Sequence, residues 1–192
     1  SSELHNIVTS ATTAALQGAT LNKQLLAFSR KQDLAPGPLN LNERIPSMVT
    51  ILQRSLPETI EIHIRQSPDL WPCIADASQV ESALLNLVLN ARDAMPVGGE
   101  LSIETANFCI GGDGERPDMV PGDYAVLSVS DTGSGMTEDA IEHAFEPFFT
   151  TKPVGQGSGL GLSMIYGFAK QSGGHVTIDR TPGRGTTVRL YL

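Results

Sequence analysis

A chain of 192 residues, 40% hydrophobic and 18% charged, has the size and composition of one ordinary globular domain, or of a smaller domain with an appendage. Its formal charge of −8 excludes a nucleic-acid surface, which needs clustered Lys and Arg, and neither a signal segment nor an apolar run of roughly 18 residues is present to reach into a membrane. Two cysteines in unrelated contexts, Cys73 and Cys109, give no disulfide framework and no metal quartet, and fit a reducing, cytoplasmic compartment.

From the start of the chain, Leu4, Ile7, Ala11, Ala14, Gly18, Leu21, Leu25 and Phe28 recur at alternating steps of three and four. That spacing predicts a helix over 4–32, about 45 Å long, with a seam for another helix. The small residues at mid-seam favour a bundle over the alternative, an amphipathic helix folded onto its own domain. Ala35-Pro36-Gly37-Pro38 ends it, since proline lacks a donor and disfavours helix in the preceding residue, and the domain boundary is placed there. Beyond it, Leu39–Leu41 reads as a short strand, Asn42 as the cap of a helix to about Ser55, and Thr59–Gln66 as an alternating strand. Ser78-Gln-Val-Glu81 has the form of a capping box ahead of the apolar helix that contains 83–91. A strand over Glu100–Phe108, a polar loop over Gly111–Gly122 and a strand over Tyr124–Ser130 lead to Asp131. Thr137 caps a short helix to about Ala144, 146–157 lacks a period, and Ser158–Gln171 is helical. The last strands, His175–Arg180 and Thr186–Leu192, flank the turn Thr181–Gly185. Helices and strands alternating without regular βαβ spacing predict an α+β fold with a mixed sheet and helices on one face.

Three segments carry chemistry. Asn86 and Asn90 lie one helical turn apart in an apolar run, either as a structural hydrogen-bonded pair or as neutral oxygen ligands for a hard cation whose charge a nucleotide balances. Asp93, three residues on, either joins them or faces solvent. Asp131-Thr-Gly-Ser-Gly-Met136 is either an Asp-capped bend or a pocket in which the carboxylate accepts an adenine-type amino proton. Gly155-Gln-Gly-Ser-Gly-Leu-Gly-Leu162 runs into a helix, so that converging N–H groups and the helix dipole favour phosphate; it lacks the ending of a P-loop and the preceding strand of a dinucleotide fold. Upstream, Phe145-Glu-Pro-Phe-Phe-Thr-Thr-Lys152 reads as a closing flap, a hydrophobic loop anchor, or both.

With these in order, residues 39–192 resemble the catalytic, ATP-binding domain of a bacterial sensor histidine kinase, with the Bergerat fold shared by gyrase, MutL and heat-shock chaperone ATPases. Asn86 and Asn90 match the N box, Asp131–Gly135 the G1 box, Phe145–Phe149 the F box, Gly157–Gly161 the G2 box, and Gly183-Arg-Gly-Thr186 the last glycine motif. The Asn-Ala-Arg-Asp-Ala-Met and Phe-Phe-Thr-Thr-Lys-Pro wording is similar to the nitrogen-regulator and hybrid-kinase branch. The resemblance implies a two-layer α/β sandwich over 35–192, preceded by a long bundle helix. Gln24-Leu-Leu-Ala-Phe-Ser-Arg30 then resembles the end of a second dimerisation helix, which makes 1–34 part of a homodimer bundle whose acceptor helix is missing. None of His5, His63, His143 and His175 fits the acceptor pattern.

By the same resemblance the ligand is ATP with Mg²⁺. Adenine lies against Asp131, supported by Thr186 and by Gly133, Gly135 and Met136; the cation is held by Asn90 and Asn86, with Asp93 beside them. The phosphates are covered by Phe145, Phe149, Thr151 and Lys152 and cradled by Gly155, Gly157, Ser158, Gly159, Leu160 and Gly161. Lys152 neutralises the γ-phosphate, and Asn86 stands where related hydrolases place the glutamate that activates water, which leaves the phosphoryl group for a histidine. Implied partners are a phospho-acceptor histidine helix, a response-regulator receiver domain and a second copy of the chain, with no nucleic acid and no membrane contact by this segment. The alternatives are an ATPase or conformational switch of the gyrase, MutL or chaperone type, and a nucleotide-binding regulatory module without transfer.

Overall fold

The computed structural model describes residues 35–111, 119–153, 157–180 and 185–192. The seam over 4–32, Gly155, most of the 111–122 loop and the turn residues 181–184 lie outside the described residues. In chain order the elements are β1 (Gly37–Leu39), α1 (Leu41–Ser55), β2 (Ile60–Arg65), β3 (Cys73–Ala75), α2 (Ala77–Ala94), β4 (Gly99–Ile110), β5 (Gly122–Asp131), α3 (Glu138–Glu142), α4 (Gly161–Gln171), β6 (His175–Arg180) and β7 (Thr186–Tyr191). Five strands form one sheet in the order β2-β4-β5-β7-β6, while β1 and β3 pair separately. The β2–β4 pair is parallel and the others are antiparallel, so the sheet is mixed as the sequence implies.

Alternation sorts the sheet into two faces. Ile103, Val129, Val188 and Ile178 align across four strands, as do Thr105, Leu127, Leu190 and Val176, on the face covered by α1, α2 and α4. On the other face Ser102, Ser130, Thr187 and Asp179 form one polar row, and Glu104, Ser128, Arg189 and Thr177 a second. That face turns apolar only at one end, where Ile110, Met119, Tyr124, Val126 and Tyr191 cluster with Phe108. The result is the two-layer α+β sandwich expected.

Several boundaries differ from the sequence reading, each for a local reason. The first strand is Gly37–Leu39, and the cap of α1 is Asn40, whose Oδ1 accepts the Asn42 N–H at 2.9 Å. Asn42 itself donates to the Ser67 carbonyl at 2.6 Å and accepts from Thr105 Oγ1 at 2.8 Å, tying the helix start to β4. Pro46 inside α1 removes the donor for the Asn42 carbonyl, and Gln66 Nε2 fills the gap at 2.9 Å. Ser78 and Glu81 do not form the expected capping box: Asp76 is the cap, accepting the N–H groups of Ser78 and Gln79, and α2 starts at Ala77. Asp76 also accepts the Ser78 hydroxyl and the Ala35 N–H, which hold its carboxyl below the usual aspartate range. Three-residue β3, just before this cap, is too short for its alternation to stand out in the sequence. Finally, α4 begins at Gly161 rather than Ser158, because Leu160 is the cap residue and has no capping side chain; 157–160 is loop.

Candidate functional site

Helix α2 is the element about which the site is built. Val80, Ala83, Leu84, Leu87, Val88 and Ala91 bury one face, and its amphipathic period leaves Asn86 and Asn90 half-buried on the adjoining face. There they meet the start of α4: a β-carbon on Gly161 would lie 3.6 Å from Asn90 Nδ2 and 3.9 Å from Asn86 Oδ1. The two amides therefore look onto a helix N-terminus whose N–H groups have no side-chain cap.

Lys152 reaches the same face from the loop ahead of α4. Its ammonium donates to Asp93 Oδ2 at 2.6 Å and to Asn90 Oδ1 at 3.4 Å. Burial alone would push the Asp93 carboxyl up, but hydrogen bonds from Lys152 and Arg92 outweigh it and hold the group below its ordinary range. Asn86, Asn90, Asp93, Lys152 and Gly161 are thus brought together.

The aromatic segment and the glycine segment are pressed against each other through backbone. Phe148 N–H donates to the Gly159 carbonyl at 2.9 Å, and a β-carbon on Gly159 (φ +65°) would stand 2.3 Å from the Phe148 carbonyl carbon. Phe148 itself, 57% exposed, is held at φ +69°, a backbone conformation few non-glycine residues adopt. Gly157 lies against Thr150 Oγ1 and the Lys152 stem. Phe145 stacks on Tyr166 of α4 with ring centroids 5.0 Å apart, and Phe149 lies 5.5 Å from the His143 ring. His143 in turn bonds Glu146 at 2.8 Å, and the Glu146 hydrogen bond and charge raise the imidazole pKa. Thr151 is exposed and Ser158 half-buried, the latter accepting the Leu160 N–H at 3.4 Å. Leu160 is fully buried.

At the other end, β5 delivers Asp131. Its Oδ1 accepts the Gly133 N–H at 2.9 Å, the Asp-capped bend weighed from sequence, and the carboxylate also accepts the Thr186 N–H at the start of β7. Burial dominates and raises the Asp131 pKa, with these two bonds opposing it. Gly185 (φ +95°) passes so close that a β-carbon there would stand 1.7 Å from the Asp131 carbonyl oxygen. The following loop docks on the end of α2 through Ser134 N–H to the Ala94 carbonyl at 3.1 Å. Gly135 takes φ +72°, and Met136 is half-buried beside it.

Sequence reasoning missed three supports. Thr132 Oγ1 accepts the Glu100 N–H at 2.9 Å and approaches the Met95 sulfur, locking the Asp131 turn to β4 and α2. Ser163 Oγ closes the first turn of α4 on the Leu160 carbonyl at 3.0 Å. Tyr166 carries the Phe145 stack and lies under the Lys170 ammonium, 5.6 Å from its ring centre; only its i, i+4 spacing to Lys170 hinted at this.

Chemically, one end offers a half-buried carboxylate acceptor framed by backbone N–H groups, and the other offers amide oxygens, an ammonium and a helix N-terminus. Among the described residues no three His, Cys, Asp or Glu side chains are placed to hold a metal ion. The amide oxygens of Asn86 and Asn90 suit a hard cation only if phosphate oxygens and water complete its shell. Among the same residues, no helix is long and apolar enough to cross a membrane.

Comparison with known proteins agrees with this geometry. A family model described as histidine kinase-, DNA gyrase B-, and HSP90-like ATPase matches residues 75–192. The chain is 45% identical over 178 residues to the sensor kinase CckA of Brucella abortus (strain 2308), covering 92% of this chain and 19% of that protein. It is 31% identical over 170 residues to the sensor histidine kinase ZraS of Klebsiella oxytoca, covering 88% of this chain and 34% of that protein. The chain thus spans about a fifth and about a third of the length of these two curated relatives. Among solved structures, the mycobacterial sensor histidine kinase MprB superposes with a TM-score of 0.66 at 26% identity, over 82% of this chain and 97% of that one.

Proposed function

The chain belongs to the histidine kinase-, DNA gyrase B-, and HSP90-like ATPase family as the ATP-binding catalytic part of a sensor histidine kinase, and we propose that it passes the γ-phosphoryl group of ATP to a histidine supplied outside this segment. In that step the bond from the γ-phosphorus to the bridging oxygen breaks, one to the imidazole nitrogen forms, and ADP leaves. A response-regulator aspartate then takes the group from the histidine. Residues 1–34 are assigned to a dimerisation bundle shared with a second copy, 35–192 to the catalytic domain, and the segment to the cytoplasm.

The observation that carries the reading is the convergence of Asn86, Asn90 and Lys152 on the uncapped start of α4. Asp131 accepts the adenine amino proton, and Gly133, Gly135, Met136 and Thr186 shape that end. Gly157, Ser158, Gly159, Leu160 and Gly161 offer backbone N–H groups to the phosphates, beside Phe145, Phe149 and Thr151; Gly155 belongs to the same stretch but lies outside the described residues. Mg²⁺ would be held by Asn90 and Asn86 together with phosphate oxygens, where it would neutralise developing charge. Lys152 supplies a positive charge to the γ-phosphate, and Asn86, being an amide, cannot take a proton from water, which disfavours hydrolysis.

Incubation with γ-labelled ATP and a separately expressed protein carrying the acceptor helix tests this. The expected product is an acid-labile phosphohistidine on the acceptor. Free phosphate released without an acceptor would instead assign the chain to hydrolysis, and nucleotide protection without either product would leave a binding module.

A further inference from the structure

Both carboxylate oxygens of Asp93 are engaged by cationic side chains. Oδ2 accepts Lys152 at 2.6 Å, and Oδ1 accepts Arg92 Nε at 2.9 Å and Nη2 at 2.8 Å. Arg92 is itself fixed by Nη1 to the Ser55 carbonyl at 3.4 Å, so the carboxylate is braced from its own helix and from the end of α1. The braced carboxylate sets where the Lys152 ammonium rests, and that place is 3.4 Å from Asn90 Oδ1. The same amide oxygen is the one assigned above to the cation. A Mg²⁺ bound to it at about 2.1 Å would stand close to the ammonium, and like charges at that range repel strongly in a partly buried site. That repulsion sets the ammonium and the cation in competition for the oxygen.

We propose that Asp93 is a positioning residue for Lys152 rather than a ligand of nucleotide or metal: it holds the ammonium on the Asn90 amide oxygen, where Lys152 competes with the divalent cation until the γ-phosphate draws it away. This rests on the reading of the site as one for Mg·ATP. The cation and the lysine exchange places on Asn90, so that Lys152 is released toward the phosphate in the same event that seats the metal. Asp93 does not touch the reacting atoms.

The experiment measures the Mg²⁺ concentration giving half-maximal binding of a fluorescent ATP analogue to the full chain. A carboxylate that attracts the cation and one that only holds Lys152 give opposite signs. Asp93→Asn keeps the shape but releases the ammonium, so the Mg²⁺ midpoint falls about two- to fivefold, the worth of one half-exposed ion pair. Lys152→Met lowers it by a similar factor, and the double variant goes no lower, because both remove one interaction. Asp93→Glu, which keeps the charge, returns the midpoint toward the parent value, and thermal unfolding confirms that each variant is folded. A raised midpoint in Asp93→Asn, or additive effects in the double variant, overturns the proposal. Failure of the parent chain to bind the analogue would instead overturn the Mg·ATP reading, whereas a Mg²⁺ dependence that survives Asn90→Ala would overturn the placing of the cation on Asn90 and the proposal with it, so the two failures are distinct.

Discussion

Gly185→Ala places the sharpest demand on the structure. At φ +95° the new β-carbon would stand 1.7 Å from the Asp131 carbonyl oxygen, 2.6 Å from its carbonyl carbon and 3.0 Å from the Thr132 Cα. All three are backbone atoms, so nothing can swing aside and β5 must separate from the start of β7. The left-handed backbone costs about 1–2 kcal/mol for a residue with a β-carbon, and overpacking adds about 1–3 kcal/mol, together about 2–5 kcal/mol of unfolding free energy. Thr186, the next residue, donates its N–H to the Asp131 carboxylate, so the same displacement removes a donor from the adenine acceptor. Urea unfolding should show the loss of stability, and titration with ATP should show affinity weakened about tenfold, the worth of one hydrogen bond to a charged group. Gly37→Ala is the control, since nothing lies within 4 Å of its β-carbon position. A Gly185→Ala protein with unchanged unfolding midpoint and affinity would refute both the packing and the placing of adenine at Asp131.

Other outcomes follow from the same geometry. Gly167→Ala in α4 meets nothing within 4 Å and should stabilise the protein by about 0.5–1 kcal/mol through helix propensity, read by thermal unfolding. Because burial raises the Asp131 pKa in the folded chain, its contribution to stability is full below the unfolded pKa and is lost as pH rises through the folded one; it is a cost at neutral pH. Nucleotide affinity runs the other way, falling as pH drops through that raised pKa and the acceptor is protonated, and Asp131→Asn should flatten both profiles. Asn90→Ala should abolish Mg²⁺-dependent ATP binding while the unfolding midpoint moves little, because the side chain is only half-buried.

The long elements were legible because their period is set by burial. Residues 83–91 mark α2 wherever its cap lies, and the alternation of β4 through β7 fixes which face meets the helices. Caps were less legible: Asp76 and Ser78 are both good N-cap residues two positions apart, and only the Asp76 contacts with Ser78, Gln79 and Ala35 decide between them. At the site, the motif order named Asn86, Asn90, Asp131 and the glycines, whose roles depend on backbone within a few residues. The meeting of Lys152 with Asp93 was not legible, since it spans 59 positions and needs the tertiary fold to exist. The braced Asp93 carboxylate is therefore a property of the assembled domain, not of its motif.

The parallel pairing of β2 with β4 sets the order in which this domain can form. Antiparallel strands can zip from a tight turn, but a parallel pair closes only after its crossover has been laid down, and here the crossover contains β3 and α2. The two amides that face α4 ride on that crossover, and α4 itself lies in the still longer connection between β5 and β7, so they meet only once both non-local closures of the sheet are complete. Refolding in the presence of Mg·ATP should therefore leave the folding rate unchanged and slow unfolding alone, because the ligand has nothing to grip until the chain has crossed its barrier.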